Sequence, residues 1–487
     1  MSQQPAPPDN AIPQTSPTAS LRVVKSKVKV GEKLSYALGD VGSNLIYQPL
    51  TAFALFYLTN IAGIGAAIAG TILLLGQLLN GVTDLVLGVL IDKTRTRWGK
   101  TRPWILFSAL PMALCLIAVF AIPTGLDETG KVVWAFVAYA LVMAVFYTAS
   151  NVAYSALLSV ITSNPRTRVT LTSMRFIFAV FTSLIVTTVT LPAVNALGGG
   201  QGAWTTIAVI YGVISVVTFL VVFFGTRERI IAVDDEQSSA KQPLKVMLGQ
   251  LFRNRYFLLA AALFLLFYLV SGLSQAVGVY YAADILHSEA AFSLLSLVGI
   301  FPLLLGIPFM PWLMGKFGKR PLFLVGTALM LVGALLPVID PRSLPIVLIG
   351  GVLRGFGMVP LTAGIFALVA DVVDYGEWKN GVRTDGLIFS SVVFGQKLGG
   401  GLASAGTGWI LAIGGYAAGA QTQTAGAEQA ILTAYVYVPI VLTVLIGVVV
   451  WFFRIERYRP QIEIYLAQHD APADQAVSAD TNRSEVQ

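Results

Sequence analysis

Twelve apolar stretches, each of about 20 residues or more, divide this chain, and about 20 residues is the length that crossing about 30 Å of hydrocarbon requires. They run at roughly 36–62, 66–91, 104–123, 131–161, 171–195, 203–225, 257–282, 291–314, 321–339, 344–370, 386–413 and 430–453. Backbone groups in lipid must be paired within their own segment, so each stretch is expected to be a helix. A membrane barrel would need short segments of alternating polarity, and the sequence has none. Only 12% of the 487 residues are charged, against about 25% in soluble chains, too few to clothe a water-facing surface. The expected fold class is an all-α membrane protein with twelve transmembrane helices in two six-helix halves.

Lys and Arg set the orientation. The N-terminal segment carries five, the even-numbered connections nineteen, and the C-terminal segment four. The odd-numbered connections carry only Lys131 and Arg342. Both termini are therefore expected in the cytoplasm, with the protein multi-pass in a bacterial inner membrane. A net charge of +7 placed this way follows the bilayer and gives no reason to expect a nucleic-acid partner. The two remaining cations, Arg354 and Lys397, fall inside predicted spans.

An internal repeat supports the division into halves. RWGKTRPW (97–104) follows the second span, KFGKRPLF (316–323) follows the eighth, and the longest basic connection lies between the two sets. The expected organisation is a disordered tail over 1–30, one half over 31–225, a linker over 226–256, a second half over 257–455 and a tail over 456–487. Repeats of six helices bring a cavity to the bilayer midplane, where alternating access operates.

Ionisable groups in the membrane are costly, so each is a functional candidate. Asp84 lies in the second span, about 12 Å from its cytoplasmic end, with Asn80 one turn earlier on the same face. A carboxylate there can take up a proton or hold a cation. Lys397 lies about 18 Å into the eleventh span among Gly395, Gly399, Gly400 and Gly401, too deep to reach water easily. It is expected to pair with Asp84, with Asp40 as the alternative, or to donate to substrate oxygens. Asp40 and Asn44 share a face of the first span, and Asn151 and Tyr154 sit in the fourth. Amides and aromatic rings suit hydroxyl-rich ligands, which makes Tyr47, Tyr147 and Tyr268 further candidates. Arg175 either lines the cavity or extends to the cytoplasm, and Arg354 is read mainly as a helix-pairing residue. The charged blocks at the cytoplasmic ends, Asp92, Arg97, Lys100 and Arg102, then Asp374, Glu377 and Arg383, are read as inner-gate salt bridges.

KLSYALGDVGSNL, TDLVLGVLIDKTRTRWGKTRPWIL and ADVVDYGEWKNGVRTDGLIFS together resemble the glycoside–pentoside–hexuronide:cation symporters, the melibiose-permease group of the major facilitator superfamily. The resemblance implies import of a sugar or glycoside with a monovalent cation. Asp84 matches that family's helix-2 cation carboxylate and Thr148 a hydroxyl beside it. Arg175 and Lys397 match basic residues of its sugar and cation sites. Sodium-using members carry a second helix-2 carboxylate where this chain has Asn80, so a proton is the expected ion. Melibiose-type members have carboxylates where this chain has Asn44 and Asn151. Asparagines there are similar to the glucuronide-transporter branch and make an anionic sugar easier to accept.

A lone Cys115 and two distant histidines, His287 and His469, argue against a metal or cofactor. An embedded enzyme would show an acidic metal motif or catalytic loop, and neither is evident, so an enzyme is not expected. The transport unit is expected to be monomeric. The alternatives are a sodium-coupled symporter, or an uncoupled facilitator or exporter of a small polar solute.

Overall fold

The computed structural model describes residues 22–23, 28–231, 254–380, 385–420 and 422–469. Its long helices are α1 (Val30–Ala52), α2 (Ala66–Lys93), α3 (Arg102–Val119), α4 (Glu128–Ile161), α5 (Pro165–Ala196) and α6 (Gly200–Gly225). They continue as α7 (Arg255–Ile285), α8 (Glu289–Phe317), α9 (Lys319–Ile339), α10 (Leu344–Asn380), α11 (Asp385–Ile413) and α12 (425–452), with a short α13 (Arg459–His469) after them. The one sheet among the described residues is a two-residue antiparallel pairing of Arg22–Val23 with Ile230–Ile231. It places part of the segment read as an unstructured tail against the start of the linker; residues 1–21, 24–27 and 232–253 lie outside the described residues.

Ten of these helices are long and apolar enough to cross a membrane. α1 and α11, read above as spans, do not reach that apolarity. The reason is visible in their composition: α1 carries Glu32, Lys33, Asp40 and Asn44, while α11 spends positions on Lys397, serines and glycines. Both pack against several other helices, so less of their surface needs to be apolar.

Helices α1–α6 pack among themselves, as do α7–α12. The two longest seams between the sets run where α2 lies along α11 and α5 along α8; α1 also meets α7. Small residues set the closeness of the first seam. A Cβ on Gly408 of α11 would lie 2.3 Å from the Ala66 carbonyl oxygen, so no larger residue fits there without parting the helices.

The repeat seen in the sequence extends to local geometry. α1 is followed by a π turn at Tyr57–Ile61, and α7 ends in one at Tyr281–Ile285. Each is closed by the same pair of bonds: Ala62 and Ile64 donate to Tyr57 and Leu58, Leu286 and Ser288 to Tyr281 and Ala282. At the opposite, basic end the Glu228 carboxylate accepts from the backbone N–H groups of Lys100, Thr101 and Arg102, capping α3. Glu456 does the same for α9 through Lys319 and Arg320. Gly99 and Gly318 precede these caps with φ of 105° and 82°, a conformation glycine adopts without strain.

Candidate functional site

Three polar assemblies lie along the inner faces of the helices. The first spans the α2–α11 seam. The Lys397 ammonium donates to Asp84 Oδ2 at 2.5 Å, to Asn80 Oδ1 at 2.6 Å and to the Asn80 carbonyl at 3.2 Å. Thr148 Oγ1 donates to the same Asn80 Oδ1 at 2.7 Å, which fixes the amide with its oxygen towards the lysine. Asn80 Nδ2 turns back to Gln77 Oε1 at 3.4 Å, and Gln77 reaches the Tyr139 hydroxyl. Asn80 and Thr148 are buried, whereas 26% of the Asp84 side chain stays accessible. Asp84 and not Asp40 is the partner of Lys397. Of the flanking glycines, Gly401 faces Leu74 and Gln77 of α2, whereas Gly399 faces Leu265 and Leu269 of α7.

The second assembly is internal to α1, α4 and α5. Arg175 Nε lies 2.7 Å from Asp40 Oδ2, and Nη2 lies 3.4 Å from Oδ1. Tyr154 donates to Asp40 at 2.9 Å and to the Tyr36 carbonyl at 2.6 Å. The guanidinium also sits over the Tyr154 ring, 4.2 Å from its centre. Arg175 therefore does not extend to the cytoplasm; it neutralises Asp40. Tyr154 is fully buried beneath the pair. Asn151 Nδ2 reaches the Tyr147 hydroxyl at 3.4 Å, and Tyr147 stacks on Tyr47. Tyr268 packs its ring against Phe264 and Phe267.

The third is a cavity of about 300 Å³ between α1, α5, α7, α8, α10 and α12. Its polar lining includes Asn44, Gln48, Thr187, Ser274, Gln275 and Arg354. Among the substrate residues expected from sequence, only Asn44 lines it; its amide donates to the Asp40 carbonyl at 2.8 Å, tying the cavity to the second assembly. Gln48 Oε1 and Gln275 Oε1 are buried acceptors with no partner among the described residues. Arg354 donates to Ser274 Oγ at 2.5 Å and faces the Tyr435 ring, and no carboxylate among the described residues lies within ion-pair distance of it. Orphaned acceptors and an uncompensated cation are what a polyhydroxylated ligand bearing negative charge would satisfy. Gln48 and Gln275 escaped the sequence reading because uncharged polar residues do not stand out in an apolar run.

Of the expected inner-gate residues, those of the first set bond within it. Lys100 pairs with Asp92 at 3.0 Å, Arg97 lies over Trp98, and Arg102 donates to the Phe223 carbonyl. Asp371 bonds Lys319 at 2.6 Å. Asp374 and Glu377 stand on the last turns of α10, each with an interaction partner, and Arg383 lies outside the described residues. Hydrogen bonds join the two sets at the opposite end. Thr59 and Tyr280 share a hydroxyl–hydroxyl bond of 2.7 Å. The Tyr416 hydroxyl lies 3.0 Å from Asn60 Oδ1 and 3.3 Å from Asp284 Oδ2, and Asn195 donates to Glu289 at 2.9 Å. At the basic end of α2, by contrast, Leu85, Val86 and Val89 are more than half exposed.

Residues 35–457 match the family described as MFS/sugar transport protein. The chain is 35% identical over 477 residues to the isoprimeverose transporter of Lactiplantibacillus pentosus, covering 95% of this chain and 97% of that protein. It is 31% identical over 438 residues to the inner membrane symporter YicJ of Escherichia coli, covering 88% and 92%. The solved D-xylose-proton symporter superposes with a TM-score of 0.63 at 12% identity, over 88% of this chain and 98% of that one, a likeness of fold.

Proposed function

The chain belongs to the family of MFS/sugar transport proteins, and on that premise we propose that it imports a sugar or glycoside by cation symport through alternating access. It is a multi-pass membrane transporter and not an enzyme. In this reading α1 and α11 also cross the bilayer, making two six-helix halves in the inner membrane of a bacterium, with both termini cytoplasmic and one chain as the transport unit. The cavity between the halves takes the solute, and the Lys397–Asp84–Asn80–Thr148 cluster takes the ion.

The observation that carries this is the sharing of one ammonium by Asp84 and Asn80 across the seam between the halves. A cation arriving at Asp84 competes with Lys397 for the carboxylate. Binding therefore alters a contact that joins the halves, and only a ligand that distinguishes two states can shift their populations. A proton needs a single base, whereas sodium would need several oxygens and loses a charged ligand at Asn80. Proton coupling is the reading preferred here. Sodium coupling would use the Asp84, Asn80 and Thr148 oxygens once Lys397 had withdrawn. Arg354, with no carboxylate partner among the described residues, favours a solute that carries negative charge, such as a hexuronide-type sugar.

The test is uptake of paired neutral and anionic glycosides into proteoliposomes under separately imposed proton and sodium gradients. Accumulation driven by the proton gradient alone is expected. A response to sodium at fixed pH would replace the ion. Equilibration without accumulation under either gradient would make the protein an uncoupled facilitator.

A further inference from the structure

A second cavity, of about 680 Å³, opens at the basic end between the start of α7 and the end of α12. Arg255, Arg454, Arg457, Tyr256 and Tyr458 line it. Leu258, Leu259 and Phe452 line it as well, and no acidic residue among the described ones does. Two of the arginines are held by aromatic side chains. Arg255 donates to the hydroxyls of Tyr256 and Tyr458 at 3.3 and 2.9 Å, its guanidinium 4.9 Å from the centre of the Tyr256 ring. Arg454 lies over Trp451, and its Nε is buried with no hydrogen-bond partner among the described residues. None of the three is in an ion pair among the described residues. The carboxylates close in sequence are occupied: Glu456 caps α9, and Glu463 pairs with Arg459 at 2.8 Å.

The position of the groove narrows its ligand. Arg255 opens α7, and α12 ends at Phe452, two residues before Arg454, so the groove lies where apolar helix surface gives way to charge. Leu258 and Phe452 are 46% and 61% exposed beside it, and Trp451 is 54% exposed. A free inorganic anion would satisfy the arginines and leave this apolar lip uncovered. A soluble acidic peptide would have to enter the membrane interface to reach it. A molecule with an anionic head on an apolar body satisfies both parts, and basic recesses between helix ends on the cytoplasmic side suit such headgroups.

We propose that this groove binds the headgroup of an anionic diacyl phospholipid of the inner leaflet, its phosphate against Arg454, Arg457 and Arg255 and its chains along Leu258 and Phe452. The bound lipid braces α7 and α12 against α10. Tyr256 and Tyr458 pack on Tyr375 at ring distances of 4.7 and 5.5 Å, and Trp378 closes the cluster.

Full-length protein in detergent is titrated with phosphatidylglycerol, phosphatidylcholine and inorganic phosphate, and followed by native mass spectrometry and thermal unfolding. Phosphatidylglycerol alone should be retained and should raise the midpoint. The Arg454→Gln/Arg457→Gln variant should lose at least about tenfold in affinity for it while unfolding at the wild-type temperature in phosphatidylcholine. If that double variant does not fold, the exposed Arg457→Gln change alone should weaken retention in the same direction. Equal retention of the two lipids by the wild type, or unchanged retention by a folded variant, would overturn the proposal. So would phosphate binding as tight as phosphatidylglycerol, which would make the groove a site for a soluble anion.

Discussion

The Nζ of Lys397 lies 2.5 Å from Oδ2 of Asp84, so a single ammonium on α11 closes the charge of a carboxylate on α2 across the seam where the two sets of helices meet. Each group makes the other tolerable at this depth: a lone buried charge is expensive, and a paired one much less so. Asn80 takes part as a neutral acceptor, so the cluster holds one negative and one positive side chain. Whatever neutralises Asp84 leaves Lys397 in search of a new acceptor, and that couples ion occupancy to the seam.

Asp84→Asn removes the ionisable group and keeps the shape. Gradient-driven accumulation should fall to background, while counterflow exchange of the solute persists. Both are measured in proteoliposomes with the same radiolabelled sugar. Full accumulation by this variant would make Asp84 structural.

Lys397→Ala strands Asp84, and removing one partner of a buried pair costs about 3–5 kcal/mol. The single variant should be inactive and poorly expressed. In Lys397→Ala/Asp84→Ala no charge is stranded, so expression or exchange should recover beyond either single change. Strictly additive losses across the cycle would show that the two residues act separately and would assign Lys397 to the solute.

The Asp84–Lys397 relation was legible in the sequence for a physical reason. A charge inside an apolar run is visible without knowing its neighbours, and with so few of them the pairing has few solutions. Arg354 stood out the same way, but its place in the cavity depends on the packing of α10 against α8 and α9, which no local pattern encodes. Gln48, Thr187 and Ser274 gave no signal. Hydroxyls in membrane helices commonly bond their own backbone, as Thr187 does to Ser183 and Ser274 to Val270, so facing a cavity leaves no mark. Glu228 and Glu456 follow the last apolar residues of their sets, in RER and IER, and could have been paired as repeats; among so many end-of-helix charges they looked like ordinary solvated ones. The less apolar composition of α1 and α11 reflects burial among other helices, a tertiary fact, so ten helices are apolar enough to cross a membrane where apolar stretches of spanning length numbered twelve.

Arg354→Gln keeps a donor for Ser274 and removes the uncompensated cation. Affinity for an anionic glycoside should fall by about tenfold or more, as expected for a charge-assisted bond, while a neutral analogue is affected much less. Isothermal titration of the pair of ligands reads both. An equal loss for the two would mean that Arg354 only supports the packing of α10.

The contacts at the end remote from the basic connections hold this conformation closed there, and they can be weakened without disturbing the cavity. Tyr280→Phe keeps the ring that packs edge-on against Phe56 and Tyr416 and deletes the hydroxyl bonded to Thr59. Thr59 still donates to the carbonyls of Leu55 and Phe56, so its own oxygen is not orphaned. The Thr59–Tyr280 bond joins α7 to the π turn that follows α1, and it must break if the helix sets separate at this end. Its removal therefore destabilises the closed state selectively. A buried neutral bond contributes about 1 kcal/mol, which corresponds to about a fivefold shift between the two states. A cysteine introduced as Ala283→Cys, in a Cys115→Ser background, lies in the recess lined by Asn60, Asp284 and Tyr416 and reports on that opening. Its rate of labelling by an impermeant maleimide should rise about fivefold in Tyr280→Phe. Added substrate, by changing the balance between the states, should alter the labelling rate of both proteins. Unchanged labelling in Tyr280→Phe, with folding intact, would show that this bond carries no weight in the access equilibrium and that closure rests on the ring packing of Phe53 and Phe292 instead.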